Sequence, residues 1–244
     1  GVSGDGDTAS IGIGQYIHAA RRQLNIVYVV ENNGTYGLTK GQFSATNDLV
    51  SKSKYGEENL FPAIDLAAMA ILAGASFVAR SFSGDKNQLV PLLKAAMKHK
   101  GFSILDVISP CVAFNNHNTS TKSYDHIREH NESVSRIDFV PLGKEIKANY
   151  GEGEQIDVSL HDGSTLTLEK LSKHYDPRDK TSAISHIISA DKDGKVLTGL
   201  LYIDPEAKDL EETLNLTKTP LTNLSKKDLC PGEDKLNKIN DSLR

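Results

Sequence analysis

Apolar and polar residues alternate along the first half of the chain with the spacings of helices and strands. Apolar residues recur with helical spacing between Thr8 and Arg22, and Thr8 is placed to cap that helix. The run from Asn25 to Val30 is mostly β-branched and apolar, as in a parallel strand covered on both faces. The pattern continues with helices predicted over 62–73 and 86–98 and strands over 76–80 and 103–108. This order predicts an α/β fold with a doubly wound, mostly parallel sheet.

The pattern changes after Cys111. Residues 115–123 form a long polar stretch, which is typical of a loop that is either functional or disordered. Apolar and polar residues then alternate over 156–168 around Asp162-Gly163, which predicts a hairpin. A helix over 181–190, a strand over 196–203 and a charged tail complete the chain. We therefore predict an α/β core over 1–138 and a C-terminal α+β extension over 139–244 that packs on it.

Composition narrows the classes of function. The 244 residues are 38% hydrophobic with a net charge of -4, and no apolar run approaches the roughly 18 residues of a membrane-spanning helix. The balanced charge disfavours nucleic acid as a partner. Two cysteines, Cys111 and Cys230, are too few for a disulfide scaffold. The chain opens on Gly1 without a Met or a preceding strand, so we expect it to begin within a fold whose N-terminal segment is missing.

Two short motifs close neighbouring predicted strands. Gly4-Asp5-Gly6 opens the first helix, and Asn32-Asn33 follows the next strand. Open α/β sheets bind ligands at the carboxyl ends of their strands. Glycines allow close approach of the backbone, helix N-termini offer free N–H groups, and carboxylate and amide oxygens are ligands of Mg²⁺. Each motif alone is a common turn, but together they predict a diphosphate held through a metal.

These motifs resemble the thiamine diphosphate motif, and the longer pattern resembles the beta subunits of 2-oxoacid:ferredoxin oxidoreductases. The resemblance covers nearly the whole chain and implies the thiamine diphosphate-binding fold. It is carried by Gly4 to Asp7, by the run from Asn32 to Ser44 (NNGTYGLTKGQFS), by Ser109 to Asn115 (SPCVAFN), and by Tyr124 to His130.

The resemblance implies a role for individual residues. Asp5 and Asn33 would ligate Mg²⁺ through their side chains and Thr35 through its backbone carbonyl. Cofactor contacts would come from Gly4, Asp5, Gly6, Asp7, Asn33, Thr35, Tyr36, Gly37 and Leu38, with Leu38, Thr39 and Gln42 facing the 2-oxoacid as the catalytic positions. Lys40 stands where many members have glycine. Cys111 would complete a [4Fe-4S] cluster whose other three ligands lie in the missing N-terminal segment, so we expect no intact cluster on this chain alone.

The implied activity is oxidative decarboxylation of a 2-oxoacid to acyl-CoA and CO₂, with 2-oxoglutarate favoured over pyruvate and electrons passed through the cluster to ferredoxin. The implied partners are an alpha subunit, ferredoxin, the 2-oxoacid and coenzyme A, in the cytoplasm, with neither nucleic acid nor membrane. Two alternatives stay open. One is a thiamine diphosphate-dependent decarboxylase or synthase without iron-sulfur electron transfer, and the other is a non-catalytic, partner-binding remnant of the fold.

Two further patterns have simpler interpretations. His126, Glu129 and His130 match the H-x-x-E-H spacing of some zinc peptidases, but a polar helix face or a loop over the active site is favoured because no third ligand can be named. Residues 191–195 (DKDGK) suggest a calcium loop but lack the required Gly and Glu positions, which favours a hairpin turn.

Overall fold

The structure, a computed structural model, describes residues 1–53, 55–109, 121–122, 127, 131–133, 155–159, 165–169, 176–230 and 232–243. The described chain divides into two compact units, Gly1–Leu210 and Glu211–Arg244. The predicted boundary between residues 138 and 139 falls outside the described ranges and stays a prediction.

The first unit is built on a six-stranded sheet. Its strands are β1 (Val2–Gly4), β2 (Ile26–Asn32), β5 (Phe77–Phe82), β6 (Phe102–Ile108), β7 (Asn131–Ser133) and β10 (Val196–Ile203). The order is β1-β2-β6-β5-β10-β7. Every pairing is parallel except that between β10 and β5. The mostly parallel sheet is thus confirmed, and β10 and its parallel neighbour β7 run against the other four strands.

Helices cover both faces of this sheet. The helices of the first unit are α1 (Ile13–Arg21), α2 (Leu66–Ala73), α3 (Lys86–Lys98) and α4 (Lys180–Lys192). One core cluster joins α1, α2 and α4 to Val78 and Ile104, and a second joins α3 to Phe77 and Leu105. Successive residues of β5 and β6 therefore point to opposite, equally apolar layers. This confirms the doubly wound fold.

Two hairpins complete the first unit. β3 (Thr35–Tyr36) pairs antiparallel with β4 (Gln42–Phe43). β8 (Gln155–Ser159) pairs antiparallel with β9 (Thr165–Glu169), as the alternation predicted, although Asp162-Gly163 lies outside the described residues. The second unit contains α5 (Leu210–Thr213, whose first residue belongs to the first unit), a 3-10 turn (Leu221–Asn223), α6 (Lys226–Leu229) and α7 (Glu233–Ser242), and none of their residues is buried.

Three predicted elements were wrong in detail. The first helix is interrupted: a π-helical turn over Gly6–Ile11 precedes α1, and Thr8 donates its hydroxyl to the Gly4 carbonyl at 3.0 Å instead of capping. The helix predicted from 62 begins only at Leu66, because Asp65 accepts a hydrogen bond from Ala68 N and acts as its N-cap.

The third correction concerns residues 191–195, where a hairpin turn was predicted. Asp191 and Lys192 belong to α4. The helix then stops at Gly194, which has a φ of 67° in the left-handed region that glycine tolerates, and the chain enters β10. None of the described helices has the length and apolar composition needed to cross a membrane.

Candidate functional site

The parallel pairing of β1 with β2 places the two sequence motifs side by side. Gly4 pairs with Glu31, so Asp5 and Asn33 leave the same edge of the sheet on neighbouring strands. The Asn33 N–H donates to Asp5 Oδ1 at 3.2 Å, and Asp5 is completely buried. Two residues that are 28 positions apart in sequence are thus in direct contact.

Thr35 joins this pair through the Asn33 side chain. Asn33 Oδ1 accepts hydrogen bonds from the Thr35 N–H at 2.9 Å and from the Thr35 hydroxyl at 3.1 Å. The structure therefore gathers all three predicted magnesium ligands into one hydrogen-bonded group. The oxygens predicted to bind the metal are the Asp5 carboxylate, the Asn33 amide oxygen and the Thr35 carbonyl, which are hard donors of the kind that Mg²⁺ prefers.

Two hydroxyl groups that the sequence reasoning missed hold the other oxygen of Asp5. Thr46 donates to Asp5 Oδ2 at 2.7 Å, and Ser44 donates to the same oxygen. Ser44 and Thr46 are both buried. They follow β4 in a loop with no periodic pattern, and the only signal available was the unusual density of Ser, Thr and Asn over 44–47.

A chain of buried polar side chains continues from Thr46 into the sheet. The Thr46 hydroxyl lies 3.0 Å from Asn32 Oδ1, and Asn32 Nδ2 donates to Asp106 Oδ1 at 2.9 Å. Arg80 then donates through Nε to Asp106 Oδ2 and through Nη2 to Asp65, each at 2.8 Å. The Asp5 carboxylate is thereby connected to Asp65, the N-cap of α2.

Charge compensation keeps the buried pair of Asp65 and Arg80 ionised. Burial alone would raise the pKa of the Asp65 carboxyl, but the adjacent Arg80 guanidinium outweighs it, and the pKa lies below its ordinary value. Burial would likewise lower the pKa of Arg80, but Asp65 and Asp106 raise it above its usual range. Arg80 therefore remains a cation beside the ionised Asp65 carboxylate.

The turn after Asp5 requires glycine at two positions. A Cβ on Gly6 would lie 2.4 Å from the ring of Tyr36, whose hydroxyl donates to the Gly6 carbonyl at 3.0 Å. A Cβ on Gly12 would lie 2.8 Å from the carbonyl of Asp7, to which the Gly12 N–H donates at 2.6 Å. This last bond spans five residues and forms the π-helical turn, a feature that often marks functional sites.

The start of this turn suits an anion. Asp5 precedes the turn, but its side chain does not cap the turn. Asp5 therefore leaves the first N–H groups of the turn to another acceptor. Asp7, predicted to line the diphosphate, is exposed, and Gly4 is partly buried. The donor set and these N–H groups together fit Mg²⁺ and a diphosphate, provided that the metal displaces the two Thr35 donors from Asn33 Oδ1.

The residues predicted to face the substrate lie at the connection between β3 and β4. Leu38 is 99% exposed, and the Thr39 hydroxyl donates to Gln42 Oε1. Lys40 has a φ of 78°, in the left-handed region that favours glycine. Tyr36 and Gly37 are partly buried below this tip. The structure thus presents Leu38, Thr39 and Gln42 together on an exposed tip, close in sequence to Asn33 and Thr35.

A cavity of about 270 Å³ lies beside the connected polar side chains that run from Thr46 to Asp65. Its polar lining includes Asn32, Thr46, Asp65, Arg80 and Asp106. Its remaining wall comes mainly from the loop after β4 and from the end of α4 and the start of β10. Asp5, Asn33, Thr35 and Leu38 do not line it, so the predicted cofactor site and the cavity meet only through Asn32 and Thr46.

Several predicted residues lie outside the described ranges: Cys111, His126, Glu129 and His130. From the polar stretch over 115–123, only residues 121 and 122 are described. Thr121 donates its N–H and Lys122 its ammonium group to Asp48, each at 2.9 Å, and these contacts hold the pKa of Asp48 low against the effect of burial. Cys230 is free and exposed.

Among the described residues, no three His, Cys, Asp or Glu side chains are grouped as metal ligands. The predicted magnesium site does not meet this criterion, because it has only one carboxylate. Its other predicted donors are amide and backbone oxygens.

Comparison with known proteins places the chain among enzymes of thiamine chemistry. A family model described as the C-terminal TPP binding domain of thiamine pyrophosphate enzymes matches residues 1–107. The chain is 33% identical over 225 residues to a Sulfolobus protein named 2-oxoacid:ferredoxin oxidoreductase subunit beta, covering 85% of this chain and 70% of that one. It is 37% identical over 142 residues to the Archaeoglobus fulgidus 2-oxoglutarate synthase subunit KorB, covering 57% and 51%.

A solved structure gives the same result. The 2-oxoglutarate:ferredoxin oxidoreductase from Magnetococcus marinus, with 2-oxoglutarate, coenzyme A and succinyl-CoA bound, aligns with a TM-score of 0.65 and 28% identity. The alignment covers 99% of this chain and 66% of that one. The chain thus spans about half of the Archaeoglobus protein and about two thirds of the Sulfolobus and Magnetococcus chains. The extent and identity of the Sulfolobus match show that this chain belongs to the 2-oxoacid:ferredoxin oxidoreductase beta subunit family.

Proposed function

We propose that the chain works with an alpha subunit to decarboxylate a 2-oxoacid oxidatively, forming acyl-CoA and CO₂ and delivering electrons to ferredoxin. The observation that carries this proposal is the contact between Asp5 and Asn33, with Thr35 bonded to Asn33. These residues belong to two separate motifs, and their contact brings a carboxylate and an amide oxygen close enough together to be ligands of one cation. Membership of the family supports the same reaction class.

Each part of the site has a distinct task in this proposal. Asp5 and Asn33 would hold Mg²⁺ through side-chain oxygens and Thr35 through its carbonyl. The N–H groups of Gly6 and Asp7 would receive the diphosphate. When bound, thiamine diphosphate supplies the nucleophilic carbon that attacks the 2-oxo group. The protein therefore contributes binding, orientation and charge compensation.

The substrate would meet Leu38, Thr39 and Gln42. Leu38 offers an apolar surface, while the amide of Gln42 can donate to a carbonyl or carboxylate oxygen. We favour 2-oxoglutarate over pyruvate because the Archaeoglobus relative and the Magnetococcus structure are named for 2-oxoglutarate. Coenzyme A as acyl acceptor is supported by its presence in the Magnetococcus structure.

The electron-transfer half of the proposal rests on the family. Cys111 would be one ligand of a [4Fe-4S] cluster, and ferredoxin would accept the electrons of a cytoplasmic complex. Iron and sulfide analysis of the full-length αβ complex tests this half, with both present in stoichiometric amounts as the expected result. A complex that lacks them would be a thiamine-dependent decarboxylase or synthase instead.

The cofactor half is tested by calorimetry of the αβ complex with thiamine diphosphate and Mg²⁺. We expect saturable binding, and we expect Asp5→Ala to abolish it because the substitution removes the only carboxylate of the donor set. Asp234→Ala, in the exposed α7, is the matched control and should bind as the wild type does. A wild-type complex that fails to bind would identify a non-catalytic remnant and refute the proposal.

Activity is tested by the reduction of a low-potential acceptor that depends on both 2-oxoacid and coenzyme A. The wild-type complex should be faster with 2-oxoglutarate than with pyruvate at equal concentration. A reversed preference would leave the reaction class intact and refute the proposed substrate. No turnover with either acid, despite cofactor binding, would refute both.

A further inference from the structure

The Asp5 carboxylate is held from two sides. Asp5 Oδ1 receives the N–H of Asn33 and faces the other proposed magnesium ligand. Asp5 Oδ2 receives the hydroxyl groups of Ser44 and Thr46. A carboxylate can rotate broadly about its last torsion unless it is held. The two hydroxyl groups therefore decide which oxygen of Asp5 turns toward the metal site.

The donor roles of these hydroxyl groups follow from proton counting. The Thr46 N–H points at Ser44 Oγ at 3.3 Å, so the Ser44 oxygen acts as acceptor there and directs its own proton to Asp5. The Thr46 hydroxyl has one proton and three acceptors within reach: Asp5 Oδ2 at 2.7 Å, Ser44 Oγ at 2.9 Å and Asn32 Oδ1 at 3.0 Å. The carboxylate is the closest and strongest acceptor, so it takes the proton.

Thr46 itself is held in place from the sheet. Asn32 cannot turn its amide around, because Nδ2 donates to the Asp106 carboxylate and Asp106 accepts from Arg80. Asn32 Oδ1 therefore stays beside the Thr46 hydroxyl. All four of these side chains are at least nine-tenths buried, so water does not compete with their contacts.

We propose that Thr46, seated against Asn32 and assisted by Ser44, is a positioning residue that fixes the Asp5 carboxylate for Mg²⁺ before the cofactor arrives. The inference rests on the proposed function, since it assigns a role toward the metal of that site. Thr46 does not touch the substrate or the cofactor; it acts through Asp5. Groups that orient metal ligands typically change metal affinity about 10-fold to 100-fold when removed.

The test uses Thr46→Val, which keeps the shape of the side chain and removes the hydroxyl group. Calorimetric titration of the αβ complex with Mg²⁺, at saturating thiamine diphosphate, should show affinity lowered about 10-fold or more. Thr46→Ser should restore it, because serine carries the hydroxyl group. Thr181→Val, at an exposed threonine of α4, is the matched control and should leave the affinity unchanged.

Kinetics separates positioning from a merely structural role. In Thr46→Val the Mg²⁺ concentration for half-maximal rate should rise, while kcat at saturating Mg²⁺ returns to near the wild-type value. A fall in thermal stability with unchanged Mg²⁺ affinity would overturn the inference. If Thr46→Val does not assemble, Ser44→Ala removes the other donor to Asp5 and is judged by the same titration.

The two proposals fail in different ways. A wild-type complex that binds neither Mg²⁺ nor thiamine diphosphate refutes the proposed function and this inference with it. A wild-type complex that binds both, together with Thr46→Val of equal affinity, refutes only the role of Thr46.

Discussion

Two clusters of hydrogen-bonded side chains lie at opposite ends of the sheet. The amino-end cluster consists of Gln23, Ser76 and His99, which precede β2, β5 and β6. The carboxyl-end cluster consists of Asp5, Asn32, Ser44 and Thr46. Both are built from short polar side chains around a buried serine or threonine. They differ in how donors and acceptors are matched, and this difference separates a structural cluster from a ligand site.

In the amino-end cluster both side-chain acceptor oxygens, those of Gln23 and Ser76, meet donors. Gln23 Oε1 receives the Phe102 N–H at 3.0 Å and the Ser76 hydroxyl at 2.7 Å, while Gln23 Nε2 donates to the Gly74 carbonyl. These backbone partners fix the orientation of the amide. Ser76 has thus used its proton, so His99 Nε2, 2.8 Å away, must be the donor to Ser76. Both side-chain oxygens of the cluster are therefore paired within the protein.

The carboxyl-end cluster has more acceptor oxygens than protons. Asp5 Oδ2 takes the protons of both hydroxyl groups, and Asn32 Oδ1 faces a hydroxyl oxygen whose proton is already used. A surplus of buried acceptors is costly without a cation. Hydrogen-bonded polar side chains therefore form a cluster with paired oxygens at one end of the sheet and a cluster with surplus acceptors at the other.

The largest expected effect comes from removing the cation of the Arg80–Asp106 ion pair, which is connected to the carboxyl-end cluster through Asn32. Arg80→Met leaves Asp106 buried without its cation and should lower the free energy of unfolding by about 3–5 kcal/mol. Urea denaturation measures this, with Arg178→Met at an exposed arginine as control. A loss below about 1 kcal/mol would mean that the ion pair does not stabilise the fold.

A smaller effect is expected at the amino end. Ser76→Ala leaves the His99 N–H without its acceptor and should lower the free energy of unfolding by about 1–3 kcal/mol. It should not change the affinity for Mg²⁺ or thiamine diphosphate, in contrast to Asp5→Ala. Ser189→Ala, exposed on α4, serves as the control in both measurements. Weakened cofactor binding by Ser76→Ala would break the distinction between the two clusters.

The smallest expected effect is a pH dependence of stability that arises from His99 in the amino-end cluster. Burial disfavours the charged imidazole and lowers the pKa of His99, although Asp204 opposes this. The folded pKa lies below the unfolded value of about 6.5, so His99 favours unfolding as the pH falls below that value. Thermal unfolding at about pH 7.5 and about pH 5.5 should show a smaller drop for His99→Gln than for the wild type. Equal drops would show that other groups cause the dependence.

Sequence patterns predicted the elements whose ends carry local signals. The structure confirms α3 at Lys86–Lys98, where Asp85 caps the first turn, and β10 at Val196–Ile203. The start of α2 was wrong because Pro62 to Ile64 continues the apolar composition, and only the geometry of Asp65 marks the first turn. Local composition therefore locates an element more reliably than it locates an end whose cap is decided by tertiary contacts.

The same limit applies to the site. Contact between Asp5 and Asn33 was predictable, because carboxyl ends of neighbouring parallel strands meet at one edge of a sheet. Ser44 and Thr46 were not, because they reach Asp5 across about 40 positions through a loop without periodicity. The left-handed backbone of Lys40 had one signal, the glycine that many members of the resembled family carry there, because lysine itself gives no signal for positive φ.

The antiparallel strand β10 has a consequence for dissecting the protein. It lies between β5 and β7, and all six residues of β5 are buried. A fragment that ended at residue 138 would lose β10 and leave β5 as a bare sheet edge, with unpaired N–H and C=O groups and the apolar side chains Phe77, Val78 and Ala79 beside them. Such an edge recruits strands from other chains. The α/β core therefore needs a strand from far along the chain to cover that edge of its sheet.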